Sequence, residues 1–154
     1  MLEVEQNAPN FCLPDADMEM VSLSSFKNKK NIVLYFYPKD DTPGCTTQAL
    51  ELSDLEDQFA KFNTVILGIS RDDCLSHGSF CDKHGITLRL LSDNDGETCE
   101  KYGILQKKEI NGEMKVCFTR STFIIDKNGI LRHIFYGIGV QNHATRILWL
   151  IKSI

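Results

Sequence analysis

Two apolar runs in the first half of the chain lack the in–out alternation of a half-buried strand. They are "NIVLYFY" at 31–37 and "TVILGIS" at 64–70. Both are rich in β-branched and aromatic residues, the composition of strands covered on both faces. Between them "TTQALELSDLEDQFAKF" places Leu52, Leu55, Phe59 and Phe62 at i, i+3, i+7 and i+10. That spacing predicts a helix with one apolar face. Strand, helix and strand at this separation predict a right-handed βαβ unit with parallel strands. A second helix is predicted over 73–84, after the capping candidates Ser70, Asp72 and Asp73 and before Gly85. A short helix follows near 96–102. Asn111-Gly112 signals a hairpin inside a polar insertion. The runs 121–125 and 130–136, joined by "DKNG", predict another. "ATRILWLIKSI" closes the chain as an amphipathic helix, and "FCLPDADMEMVSL" reads as a short hairpin near its start.

A parallel βαβ half, an antiparallel hairpin and a closing helix match a thioredoxin-like α/β sandwich with an N-terminal hairpin extension. At 154 residues, one domain over 1–154 is expected. The net charge of −4 and pI near 5.5 argue against a nucleic-acid surface, which needs a basic stripe. Glu3 and Glu5 stand where a secretory leader would be basic and then apolar. No apolar run approaches the roughly 20 residues of a membrane helix. The expected setting is the cytoplasm. Six cysteines stand at 12, 45, 74, 81, 99 and 117, none in C-x-x-C spacing. A reducing compartment disfavours a permanent disulfide framework, and the spacing disfavours a zinc ribbon or a thioredoxin-type dithiol.

Cys45 occupies a turn with its own logic. Thr42 is an N-cap whose hydroxyl can accept a first-turn N–H. Pro43 then falls at the first helical position, where a missing N–H does no harm. Gly44 permits close approach of a ligand. Cys45 becomes the third helical residue, where free N–H groups and the helix dipole favour an anion. The thiolate is the nucleophilic form of cysteine, so the placement suits an activated nucleophile. On cap and position alone, a buried structural cysteine fits equally well, because caps are common.

The longer phrase "YFYPKDDTPGCTTQA" resembles the peroxidatic motif of peroxiredoxins, Pro-x-x-x-Thr-x-x-Cys, carried here by Pro38, Thr42 and Cys45. It is similar in particular to the bacterioferritin comigratory protein, or peroxiredoxin Q, branch. The likeness extends through "APNFCLPDADMEMVSLSSF", "VILGISRDDCLSHGSFCDKHGI" and "RSTFIIDKNGILRHIFY" in the same order. The resemblance implies that Cys45 attacks a hydroperoxide and becomes a sulfenic acid. Negative charge on the departing oxygen would then meet the Thr42 hydroxyl, the N–H groups around Gly44 and Cys45, and the Arg120 guanidinium. Pro38 would shield the thiolate. Gln48 stands where a glutamate is often found and could position Arg120. By the same resemblance the substrates are hydrogen peroxide and organic hydroperoxides, and electrons return from thioredoxin or a similar dithiol. No metal, haem or flavin is required, and the branch is often monomeric.

Many members of that branch carry a resolving cysteine five residues after the peroxidatic one. Leu50 stands there instead, expected on the exposed side of its helix. A second subtype places the partner in the next helix, which implies Cys81, with Cys74 as rival and an external thiol as a further possibility. Gly78 and Ser79 interrupt that helix, and an interior glycine costs about 1 kcal/mol relative to alanine. Cys74, His77, Cys81 and His84 share one helical face, but at about 1.5 Å per residue they span about 15 Å, too far for one tetrahedral metal. His77 is expected to pack or cap locally and His84 to face solvent. Cys12, Cys99 and Cys117 are assigned no role. A redox-sensing or chaperone-like thiol protein is the rival reading from another class. A protein-disulfide oxidoreductase is disfavoured by the missing C-x-x-C.

Overall fold

The computed structural model describes residues 2–137 and 143–154. Its centre is a mixed five-stranded sheet of β3 (Asn31–Phe36), β4 (Thr64–Ser70), β5 (Arg89–Ser92), β8 (Ser121–Ile125) and β9 (Leu131–Tyr136), in the order β5-β4-β3-β8-β9. β3, β4 and β5 run parallel, while β8 and β9 are antiparallel to their neighbours. The remaining strands form two hairpins, β1 (Cys12–Pro14) with β2 (Met20–Ser22), and β6 (Leu105–Ile110) with β7 (Glu113–Phe118). In the second, Asn111 and Gly112 both take positive φ, 52° and 81°, as a two-residue turn of the primed type requires. Among the described residues no helix is long and apolar enough to cross a membrane.

The unbroken apolar run of β3 now has a physical reason. Val33, Tyr35 and Tyr37 bury against one core cluster, and Ile32, Leu34 and Phe36 against a second on the other face. Helices α1 (Pro43–Lys61), α2 (Cys74–His84) and α4 (His143–Ile151) cover the first face. The N-terminal hairpin and α3 (Glu97–Lys101) lie on the second. Each large side chain so buried contributes about 1.5–3 kcal/mol relative to exposure.

Two expectations for α1 need correction. Phe62 lies beyond the helix as its C-cap residue and is 39% exposed, with the Lys152 ammonium 5.8 Å from its ring centroid. The buried stripe is instead Ala49, Leu52 and Phe59, with Leu55 at its margin. Leu50 is half-buried and packs against the same cluster, because the covered arc of α1 is wider than its sheet-facing stripe.

Candidate active site

α1 begins at Pro43, so Cys45 is its third residue, at the end of the loop that leaves β3. The side chain of Cys45 is buried. No acidic residue occupies the first turn and no side chain caps it. Here the expectation for Thr42 fails in detail. Thr42 holds the N-cap position with extended backbone, but its hydroxyl turns back and donates to the Lys39 carbonyl at 3.0 Å. The amides of Gly44 and Cys45, which have no intrahelical acceptor in a first turn, are therefore left without a side-chain cap and can meet an anion.

Arg120 enters through strand register. Ser121 pairs with Phe36, which places Arg120 beside the end of β3 where the Cys45 loop departs. Its Nη2 donates to Cys45 Sγ at 3.1 Å, and its Nη1 donates to Gln48 Oε1 at 2.6 Å. Gln48 is one turn beyond Cys45 and buried. A guanidinium so held presents fixed positive charge and a planar set of donors to an anionic sulfur or oxygen. Gly44 is close by, although a Cβ there would stand 3.5 Å from Arg120 Nη2, an ordinary contact. Pro38 is exposed and lines an open groove of about 400 Å³ with Arg71, Asn94, Leu105, Val116 and Phe118.

Sequence reasoning missed a buried polar network behind the Cys45 loop. The Asp40 carboxylate accepts from Tyr37 Oη at 2.6 Å, Ser76 Oγ at 2.8 Å and His77 Nδ1 at 2.8 Å. The Asp40 amide donates to Asp72 Oδ2 at 2.8 Å. His77 is fully buried and its Nε2 meets the Leu91 carbonyl at 3.0 Å. The ring is thus held at both nitrogens, between the Asp40 carboxylate and the backbone of β5. Next in the loop, Asp41 accepts from Lys83 Nζ at 2.6 Å and His84 Nε2 at 2.7 Å. His84 is thus drawn into a hydrogen bond with Asp41 and partly covered, instead of facing solvent as expected. The loop before Cys45 is tied to α2 from its first turn to its last. One signal could have found His77: it shares a helical stripe with Phe80, three residues on.

Cys81 sits in the last turn of α2, half-buried against the cluster that contains Cys45. Burial, then the carboxylates of Asp40, Asp82 and Asp17, push its thiol up to about 11. Cys74 is half-exposed at the first turn of α2. Cys99 is buried beside Asp93, Cys117 is half-buried in β7, and Cys12 is exposed in β1. Among the described residues no three His, Cys, Asp or Glu side chains converge as a metal would need.

The AhpC/TSA family matches residues 4–134. A putative peroxiredoxin bcp of Coxiella burnetii is 42% identical over 96% of this chain and 97% of its own. The bacterioferritin comigratory protein of Xanthomonas campestris, described for its alkyl peroxide reduction activity, superposes with a TM-score of 0.89. It is 32% identical over 93% of this chain and 90% of its own. PrxQ of Xylella fastidiosa gives a TM-score of 0.91 at 33% identity, covering 99% and 97%. The chain belongs to the AhpC/TSA family and, within it, to the peroxiredoxins of the Bcp group, with their thioredoxin-like fold.

Proposed function

We propose that this peroxiredoxin reduces hydrogen peroxide and small organic hydroperoxides through Cys45. The observation that carries the proposal is the Arg120 guanidinium seated 3.1 Å from Cys45 Sγ. The thiolate attacks the terminal oxygen of ROOH, and the O–O bond breaks. The departing RO⁻ takes a proton and leaves as ROH, while Cys45 becomes a sulfenic acid. Arg120 and the amides of Gly44 and Cys45 are the donors for the charge that builds on oxygen, joined by the Thr42 hydroxyl once it turns from the Lys39 carbonyl. Gln48 holds the guanidinium in place, and Pro38 screens the sulfur from water.

Cys81 then resolves the sulfenic acid: its sulfur displaces hydroxide, which leaves as water with the thiol proton, and a Cys45–Cys81 disulfide remains. A thiol held near 11 within folded α2 is a poor nucleophile at neutral pH. Local opening of α2 frees it, and Gly78, where even an added Cβ would meet nothing within 4 Å, favours that opening. Thioredoxin or a similar dithiol reduces the disulfide. A disulfide within one chain needs no second copy, so the single domain over 1–154 works as a monomer. The cytoplasm supplies the reductant.

Disulfide mapping and turnover test this reading together. Cys45→Ser should abolish peroxide consumption. Cys81→Ser should consume one equivalent and stall with thioredoxin. A Cys45–Cys74 link in the peroxide-treated protein, or normal thioredoxin turnover by the Cys81 variant, removes Cys81 from the mechanism. Oxidation without turnover would favour a redox sensor.

A further inference from the structure

Among the described residues, two buried side-chain polar atoms lack a hydrogen-bond partner, Tyr35 Oη and Gln48 Nε2. Gln48 is already engaged through its other atom with Arg120. The Tyr35 hydroxyl is engaged with nothing. An unpaired buried hydroxyl is unfavourable by about 1–3 kcal/mol, and phenylalanine would fill the same space without it.

The position of the ring is built, not incidental. Tyr35 belongs to β3, and its register partner on β4 is Gly68. A Cβ on Gly68 would stand 2.7 Å from Tyr35 Cζ, 2.8 Å from Tyr35 Oη and 2.7 Å from Leu90 Cδ2. Any side chain at 68 would therefore evict the phenol. The ring lies across the notch left by Gly68, reaching from β3 toward Leu90 of β5, the strand against which α2 packs. Tyr37 stacks on it at 5.5 Å. The phenol thus runs beneath the two elements that carry the reacting sulfurs, α1 with Cys45 and α2 with Cys81, and all three side chains meet in one cluster. Burial holds the proton on the phenol, reinforced by the nearby sulfurs of Cys81 and Cys45 ahead of Asp40. Tyr35 therefore stays a donor.

We propose that the Tyr35 hydroxyl is the donor reserved for the Cys81 sulfur when the Cys45–Cys81 disulfide forms and when it is reduced. The inference rests on the reading that Cys81 resolves. In formation, the Cys81 thiol loses its proton to water, its sulfur attacks the sulfenic sulfur, and hydroxide departs. The phenol O–H stabilises the attacking thiolate. In reduction, a dithiol thiolate attacks the Cys45 sulfur to form a mixed disulfide, the S–S bond breaks with its electron pair on Cys81, and the same O–H donates to that Cys81 thiolate. The donor sits on a strand, so it keeps its place while the helix above it opens.

The test is Tyr35→Phe, with the sulfenic acid trapped by dimedone at timed intervals after one equivalent of peroxide. Conversion to the disulfide should slow by about tenfold at neutral pH, the size expected for one hydrogen bond to a charged group, and its pH profile should move upward. Because the variant deletes an unpartnered hydroxyl, its melting temperature should not fall. In a Cys81→Ser background resolved by added small thiol, Tyr35→Phe should change nothing. Resolution at the unaltered rate and pH profile would overturn the inference. So would slowing that persists in the Cys81→Ser background, which would assign the phenol to Cys45. A digest of the unsubstituted protein without the Cys45–Cys81 link would overturn the resolving assignment itself, and this inference with it.

Discussion

His77→Ala is the sharpest test of how the Cys45 loop and α2 are joined. The substitution deletes a fully buried ring and its two shortest hydrogen bonds, to Asp40 Oδ2 at 2.8 Å and to the Leu91 carbonyl at 3.0 Å, with a longer contact to Tyr37 Oη at 3.3 Å. A bond to a charged group is worth about 1.5–3 kcal/mol net, and a neutral one about 0.5–1.5. The vacated ring adds a cavity term. Together they come to about 3–5 kcal/mol, the range measured when one member of a buried pair is removed. Tyr37 and Ser76 still donate to Asp40, which favours the lower end. For a chain of this size about 3 kcal/mol lowers the melting temperature by roughly 6–12 °C. The loss should be uneven. Amides of α2 and of loop 38–42 should exchange faster with solvent water, while those of β3 and β8 change only with global stability. With Cys81 as the proposed resolving thiol, a more open α2 delivers it to Cys45 sooner, so disulfide formation should quicken per sulfenic acid formed. The peroxide step should slow, because Asp40 anchors the loop two residues before Thr42. A loss under about 1 kcal/mol, or exchange that rises equally in β3 and α2, would refute the coupling of the Cys45 loop to α2 through His77.

Two further outcomes follow from single side chains. Gln48→Ala removes the acceptor that holds Arg120 Nη1 at 2.6 Å; the peroxide step should slow by about tenfold with resolution unaffected, as stopped-flow oxidation would show. His143 is buried against Thr122 Oγ1, and burial, then Arg146, lowers its ring to about 4. The folded form binds its proton less readily than the unfolded chain does, so this stabilisation is complete above about pH 6.5 and is lost as pH falls toward 4. It amounts to at most about 3 kcal/mol, and denaturant titrations of His143→Asn should show a flatter pH dependence over that window.

What was legible in the sequence, and what was not, divides by the range of the interaction. The strands 31–36 and 64–70, the helix over 74–84 and the Asn111-Gly112 turn are written in local periodicity, capping and positive-φ preference, and they stand where the pattern placed them. The entry of Cys45 at the third position of α1 follows from Thr42 and Pro43 alone. Arg120 was legible only through the resemblance, since its approach to Cys45 bridges 75 residues and depends on the pairing of β8 with β3. The His77–Asp40 bond spans 37 residues and has no local signature beyond a histidine on an apolar stripe. The errors have the same origin: Thr42 turned to Lys39, Phe62 passed the helix end, Leu50 was covered by neighbours, and Asp41 claimed His84.

The features that escaped local reading are also those that join the chemistry. A peroxidatic cysteine needs only a helix start and a guanidinium, and both could have been served by a short segment and one strand. Resolution as proposed above needs more, because on that reading Cys81 must stay away from Cys45 until a sulfenic acid exists and must then arrive. The contacts of Asp40 and Asp41 run to Ser76, His77, Lys83 and His84, so every hydrogen bond that seats the peroxidatic loop on α2 is also one that keeps α2 folded. Opening the helix for Cys81 therefore loosens the loop that bears Thr42, and the arrangement that favours attack on peroxide disfavours attack on the sulfenic acid. On the proposed reading the two half-reactions belong to two conformations of the same contacts, and the stability of α2 sets the exchange between them.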